Sequence, residues 1–418
     1  MDYEDTLSAL REGVIPPKSV LDFSVGRENE LNEFKNILNR VEKGSAVTKF
    51  INGEFGIGKS FFLKMIEETA FEDNFVVSRL TISHNLQFHQ IENIYKEIAK
   101  TLKCKTGESL NHIIERWVIG IKAEAKEEYE EDSEAQERET FIKGCVNEDL
   151  ITTRDYSNTF ATAIENHVYA KENNDIETAD FALAWVMGDS HIPANKKNKF
   201  GVKGEIKKEQ AFEFLEALST FIHSIGYPGL IILIDEAEYI LKTYRNDSRS
   251  NAYNYIRDIL DNCSNGTFSR MLFVFAGTPE FYEDERRGIR SYDALYKRIS
   301  NVHESEYNDY RNPILNLRGL NENNIKELSK HIINMHKQAY NWDTSNVEAV
   351  IDTFIEIQIQ NSGLTGGEIV PREFIRELVS VLDVVQQNQD ELNYKDKIIE
   401  EFKEANTRNT KDAIDDDW

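Results

Sequence analysis

Eight consecutive residues constrain this chain more than any others: Gly53-Glu54-Phe55-Gly56-Ile57-Gly58-Lys59-Ser60. They fit the phosphate-loop pattern G-x-x-x-x-G-K-[ST], in which a glycine-rich turn aims backbone N–H groups at a triphosphate. A side chain at the glycine positions would hold the backbone away from the phosphates. Lys59 would reach the β- and γ-phosphates of ATP, and the Ser60 hydroxyl would take one position on Mg²⁺. Val47, Phe50 and Ile51 precede the loop as a buried-strand pattern, and Phe61, Phe62, Leu63, Met65 and Ile66 follow it at helical spacing. Strand, glycine loop, helix is the order the chemistry needs, because the helix N-terminus completes the anion site. The candidate nucleotide-binding residues are Gly53, Glu54, Phe55, Gly56, Ile57, Gly58, Lys59 and Ser60, with Phe61 directly after them.

A chain of 418 residues has room for two or three domains around such a site. No apolar run approaches the roughly 20 residues a membrane span requires. The acidic start Met1-Asp2-Tyr3-Glu4-Asp5 lacks a signal-peptide core, so a cytoplasmic location and no membrane partner are expected. Cys104, Cys145 and Cys263 are far apart and match no metal spacing, which points to free thiols. The net charge of −25 opposes non-specific adhesion to nucleic acid while leaving room for a local basic site.

The pattern predicts an α/β fold with a parallel five-stranded sheet. Its strands fall at Val47–Ile51, at 75–83, at Gly229–Glu236, at Arg270–Thr278 and at Ile314–Leu317. Residues 1–24 read as a leader stopped by Pro16-Pro17; 25–102 and 209–318 read as the nucleotide core, and 319–385 as a helical lid. Asp235 lies farther from Lys59 than one intervening strand–helix pair requires. The excess is assigned to 103–208, a helical insertion or accessory lobe outside that core. Residues 386–418 form a polar tail ending in Trp418. The acidic run Glu124–Asp132 is an ordinary solvated helix face. Lys196, Lys197, Lys199, Lys203, Lys207 and Lys208, with Phe200 among them, form the one sizeable basic patch and the best DNA candidate, a surface loop being the alternative.

Hydrolysis of ATP needs a metal, an oriented water and positive charge at the γ-phosphate. The run Gly229-Leu230-Ile231-Ile232-Leu233-Ile234-Asp235-Glu236 is a buried strand closing on two acids. Asp235 would hold Mg²⁺ and Glu236 would polarise the attacking water as general base. Thr278 closes the next strand as a γ-phosphate sensor or as a simple turn residue before Pro279. Downstream lie Arg286, Arg287, Arg290 and Arg298. Arg298 is the first candidate for a finger offered to a neighbouring subunit, with Arg287 and Arg290 behind it, a surface salt-bridge arginine being the alternative. Gly26 and Arg27, in Val25-Gly26-Arg27-Glu28, open a helix just upstream and would pack over the adenine, an ordinary helix entry being the alternative; Arg372, in the last lid helix, would touch the γ-phosphate.

This ordering resembles AAA+ P-loop ATPases of the origin-recognition type. Over residues 7–385 the stretches Gly26-Arg27-Glu28, Gly53 to Ser60, Gly277-Thr278-Pro279-Glu280-Phe281, Arg287 to Leu295 and Pro371-Arg372-Glu373-Phe374 look like the BREX-system ATP-binding family, the BrxC/BrxD-like proteins, with a length nearer BrxD. The resemblance implies a bacterial anti-phage defence ATPase that oligomerises and works on DNA beside a helicase and other defence components. A nucleotide-gated scaffold that recruits effectors with little hydrolysis is the alternative, favoured by the acidic charge.

Overall fold

A computed structural model describes residues 3–15, 24–129, 135–300, 309–344, 348–364 and 369–388, together with Lys397 and Glu400. Pro16-Pro17, the Thr365-Gly366-Gly367 turn, the end of the acidic run and nearly all of the tail, Trp418 included, lie outside the described residues. The chain divides into two compact units. One comprises Met1–Leu31, Gly53–Met65 and Asn316–Trp418; the other comprises Asn32–Asn52 and Ile66–Leu315.

The larger unit is built on a sheet of β1 (Val47–Asn52), β2 (Val76–Thr81), β3 (Leu102–Lys103), β4 (Leu230–Asp235), β5 (Met271–Gly277) and β6 (Ile314–Asn316). The strand order is β3-β2-β4-β5-β1-β6. The pairs β2–β4, β4–β5 and β5–β1 are parallel. Every residue of β4 and β5 is buried, as central parallel strands covered on both faces must be. The five expected strands are present. The sixth, β3, is an antiparallel addition that pairs Val77 with Lys103 and Ser78 with Leu102. Two residues carry no periodicity, so the sequence pattern runs the preceding helix through Leu102; the helix ends at Lys100.

The helices of 103–208 form an insertion in sequence but not in packing. The helix Leu110–Glu128 starts at Ser109, whose Oγ accepts the His112 N–H at 3.1 Å. It buries Leu110, Ile113, Ile114, Trp117, Val118 and Ile121 at helical spacing. Trp117 meets Phe221 edge-on at 5.5 Å; Phe160 and Trp185 meet Phe214 at 5.9 and 5.6 Å. Phe214 and Phe221 belong to the helix Ala211–Ser224, and Phe214 also touches Tyr95 beside the sheet. One continuous apolar core therefore joins the insertion to the strands, rather than a lobe with its own core.

Glu216 is 2% exposed in that same helix and accepts from Ser269 Oγ at 3.0 Å and Ser269 N at 3.3 Å. Burial pushes its carboxyl up from the ordinary 4.5 to about 7. A folded-state pKa above the unfolded one means the native state holds the extra proton across this window. The contribution to stability is present below pH 4.5 and lost as pH rises to about 7. Glu216→Gln should flatten that slope and raise stability above pH 7 by about 2 kcal/mol, read as urea midpoints on either side of the window.

The smaller unit contains the three lid helices Glu322–Tyr340, Glu348–Leu364 and Pro371–Gln387. Ile325, Leu328, Ile332, Val350, Phe354, Phe374, Leu378 and Leu382 form their core. The expected leader is part of it: the helix Tyr3–Arg11 buries Leu7 and Leu10 in the same cluster. Arg11 grips Asp383 with two bonds of 2.6 and 2.8 Å and donates to Tyr340 Oη at 2.6 Å. His336, fully buried, accepts the Trp342 indole N–H on Nδ1 at 3.0 Å, so its Nε2 carries the proton that faces Asp383 at 3.1 Å. Two buried leucines in a nine-residue helix give too weak a pattern to foretell this docking.

Candidate functional site

In the smaller unit the glycine loop leads directly into the helix Lys59–Glu72. Gly56 and Gly58 adopt left-handed φ of +78° and +102°. A Cβ at Gly56 would also lie 2.8 Å from Val370, whereas at Gly58 only the backbone angle demands glycine. Gly53 is needed for space, since a Cβ there would meet Ile57 at 2.7 Å. The result is a turn followed at once by a helix N-terminus, which is the N–H-rich concavity an anion requires. Lys59 Nζ donates to Gly53 O at 2.7 Å and Glu54 O at 3.1 Å, and lies 5.2 Å from the ring of Phe55. Its charge is thus directed across its own loop. Phe55 is 70% exposed, Ile57 is buried, and Phe61 packs partly against the lid core.

Arg27 is 7% exposed and serves the loop rather than open solvent. Its Nη2 donates to Ile57 O at 3.2 Å and Arg318 O at 2.6 Å, and its Nη1 lies 3.7 Å from Glu30. Gly26 stands at φ +70° against the side chain of Asn324, with its N–H donated to Glu28 at 3.0 Å. Arg27 is thus a strut that fixes Ile57 within the loop. Arg27→Ala should cost about 3 kcal/mol, because it strands two carbonyls and the buried Glu30, whose pKa burial already raises. Denaturant unfolding checks the loss. Arg372 sits beside the loop: its N–H reaches Gly56 O at 3.4 Å, and its exposed side chain donates from Nε to Gly13 O at 3.0 Å.

In the larger unit the parallel strands end along one edge of the sheet, where Asn52 pairs with Gly277 and Thr81 with Asp235. Asp235 is 5% exposed; its Oδ1 accepts the Glu236 N–H at 3.0 Å and its Oδ2 accepts from Arg79 Nη2 at 3.0 Å. Glu236 is exposed and left-handed, with φ 53° and ψ 40°, a strained conformation for a residue with a Cβ. Thr278 is 2% exposed, and its Oγ1 has no hydrogen-bond partner among the described residues. An orphaned buried hydroxyl at a strand end favours the sensor reading over a simple turn.

The arginines differ in what holds them. Arg298 makes two bonds to Asp261, of 2.9 and 3.2 Å, and also donates to Ala294 O. Arg290 lies between Glu283 at 3.4 Å and Glu285 at 3.2 Å. Arg287 is exposed, donates to Thr243 O at 3.3 Å, and forms no ion pair among the described residues. The lysine patch is partly neutralised. Lys196 and Lys199 both face Glu177, Lys208 faces Glu209, and Phe200 is fully buried, so it offers no ring to a base. Lys197, Lys203 and Lys207 complete the patch on the same surface segment.

Sequence reading missed Arg79, a single cation inside the apolar run Val76-Val77-Ser78-Arg79-Leu80-Thr81, and Lys49 in β1. A charge in a central strand was the available signal. Lys49 is buried, donates to Tyr310 O and Asn312 O at 2.8 and 2.6 Å, and is pushed down to about 8 by burial.

No curated protein matches the chain. Among solved structures, that of the Aeropyrum pernix ORC2 protein in its ADPNP–ADP complexes is similar at 12% identity and a TM-score of 0.38. The match covers 92% of this chain and 74% of that one. A family model described as BREX system ATP-binding protein BrxC/D matches residues 2–401, and the chain belongs to that family.

Proposed function

We propose that this protein binds ATP with Mg²⁺ and hydrolyses it as an AAA+-type ATPase of a bacterial anti-phage defence system. The observation that carries the reading is the loop itself: left-handed Gly56 and Gly58, a helix beginning at Lys59, and an ammonium directed across the turn. In this reading the loop N–H groups and Lys59 bind the phosphates, and Ser60 and Asp235 hold the metal. Bound Mg²⁺ supplies charge neutralisation at the β- and γ-phosphates. Glu236 accepts a proton from the attacking water, and the Thr278 hydroxyl orients that water or the γ-phosphate. Arg372 would leave Gly13 O to meet the γ-phosphate.

In a homo-oligomer, Arg287 rather than Arg298 is the arginine supplied to a neighbouring subunit in this reading. Arg298 and Arg290 are committed to carboxylates, and a finger must be free to reach. Contact with DNA, a helicase and other defence proteins belongs to the same proposal, with the lysine segment Lys196 to Lys208 as the DNA candidate. The second reading, a nucleotide-gated scaffold with little hydrolysis, draws on the net charge of −25, which favours protein over DNA as the main contact. Phosphate release by wild type and Glu236→Gln, with and without duplex DNA, separates the two. Turnover no faster in wild type than in the variant under either condition would sink the motor reading.

A further inference from the structure

β2 and β4 run parallel with Arg79 opposite Leu233 and Thr81 opposite Asp235. Side chains two positions apart share a face of a strand, so Arg79 and Asp235 are diagonal neighbours on one face of the sheet. The guanidinium spans that diagonal to 3.0 Å, with the Arg79 side chain 23% exposed and that of Asp235 6%. Both carboxylate oxygens are then engaged, Oδ2 by a fixed cation and Oδ1 by the Glu236 N–H. A guanidinium and a hard divalent cation seek the same negative charge, and a partly buried setting screens their repulsion weakly.

We propose that Arg79 competes with magnesium for Asp235 and so sets the Mg²⁺ concentration at which the nucleotide site loads. The inference rests on the assignment of Asp235 as a metal ligand. A residue two positions before the strand end thereby makes nucleotide loading depend on free Mg²⁺ as well as on ATP. Arg79 is a positioning residue in this scheme: it acts on the metal through Asp235.

The test is binding of a fluorescent ATP analogue to the full chain across a Mg²⁺ titration, which needs no turnover. Arg79→Gln removes the charge, whereas Arg79→Lys keeps a cation and guards against a variant that fails to fold; thermal melts of both are compared with wild type. Arg79→Gln is expected to lower the Mg²⁺ midpoint about tenfold, the size of effect expected from losing one nearby like charge. Arg79→Lys should stay near wild type, and affinity in excess chelator should not move in either. A midpoint in Arg79→Gln that is unchanged, or raised because Asp235 has lost its anchor, overturns the proposal. Asp235→Asn reports separately on the underlying assignment. If it keeps the wild-type Mg²⁺ dependence, Asp235 is not a ligand and the inference falls with it. A wild type that binds no nucleotide at any Mg²⁺ level overturns both readings.

Discussion

Lys59→Ala is expected to lower ATP affinity at least about tenfold and to abolish measurable hydrolysis, while the chain stays folded. The ammonium now donates to Gly53 O and Glu54 O and sits beside the exposed ring of Phe55. Glu54 is exposed, so water replaces that bond at little cost; the buried Gly53 carbonyl left without a partner costs about 1–3 kcal/mol, which a domain of ordinary stability tolerates. The phosphates have no such substitute. A charge-assisted hydrogen bond to an anion contributes about 1.5–3 kcal/mol, and the same charge counts more as the γ-phosphoryl group departs. Binding of a fluorescent nucleotide, phosphate release and a thermal melt together check the three parts. Lys59→Arg should not rescue, because a planar fork cannot take the place of a compact ammonium inside an eight-residue turn.

Substitutions at Glu236 are expected to separate stability from turnover. Glu236→Gln keeps the size and the left-handed backbone but removes the base, and should slow hydrolysis by about 10²–10⁴-fold with ATP binding retained. Glu236→Gly removes the base equally and also relieves the strain of φ 53°. Since glycine adopts this region freely, the glycine variant should gain about 1 kcal/mol in stability over wild type. Phosphate release and denaturant unfolding of the two variants, side by side, read both effects. A glycine variant less stable than wild type would mean that the Glu236 side chain makes a structural contact that outweighs the strain. Turnover in Glu236→Gln equal to wild type would remove Glu236 from catalysis.

Legibility in the sequence followed chain separation. The phosphate loop, Asp235 with Glu236 at the end of an apolar strand, and the lid helices were readable because each is a local pattern. A turn type is set by its own glycines, and a buried strand declares itself by an unbroken apolar run. The N-cap Asn321, whose side chain accepts the Asn324 N–H, closes the lid's first helix within one turn of sequence. The fates of individual charges were not readable. For Arg298 the sequence left a finger and a surface salt bridge both open, and Asp261, 37 positions earlier, takes its guanidinium. That Arg27 donates to Arg318 O, 291 positions away, was likewise invisible in the sequence.

Sequence by itself determined that this chain carries a phosphate loop on a parallel α/β core, because eight adjacent residues and one apolar run are sufficient to specify those pieces. Tertiary structure alone decided that residues 103–208 share the sheet's core, that the first helix belongs with the lid, and that Arg79 sits on Asp235. Apolar periodicity says that a face is buried but not what buries it. Hydrogen bonds and ion pairs act over about 3 Å in space regardless of distance along the chain, so only the folded register selects the partners.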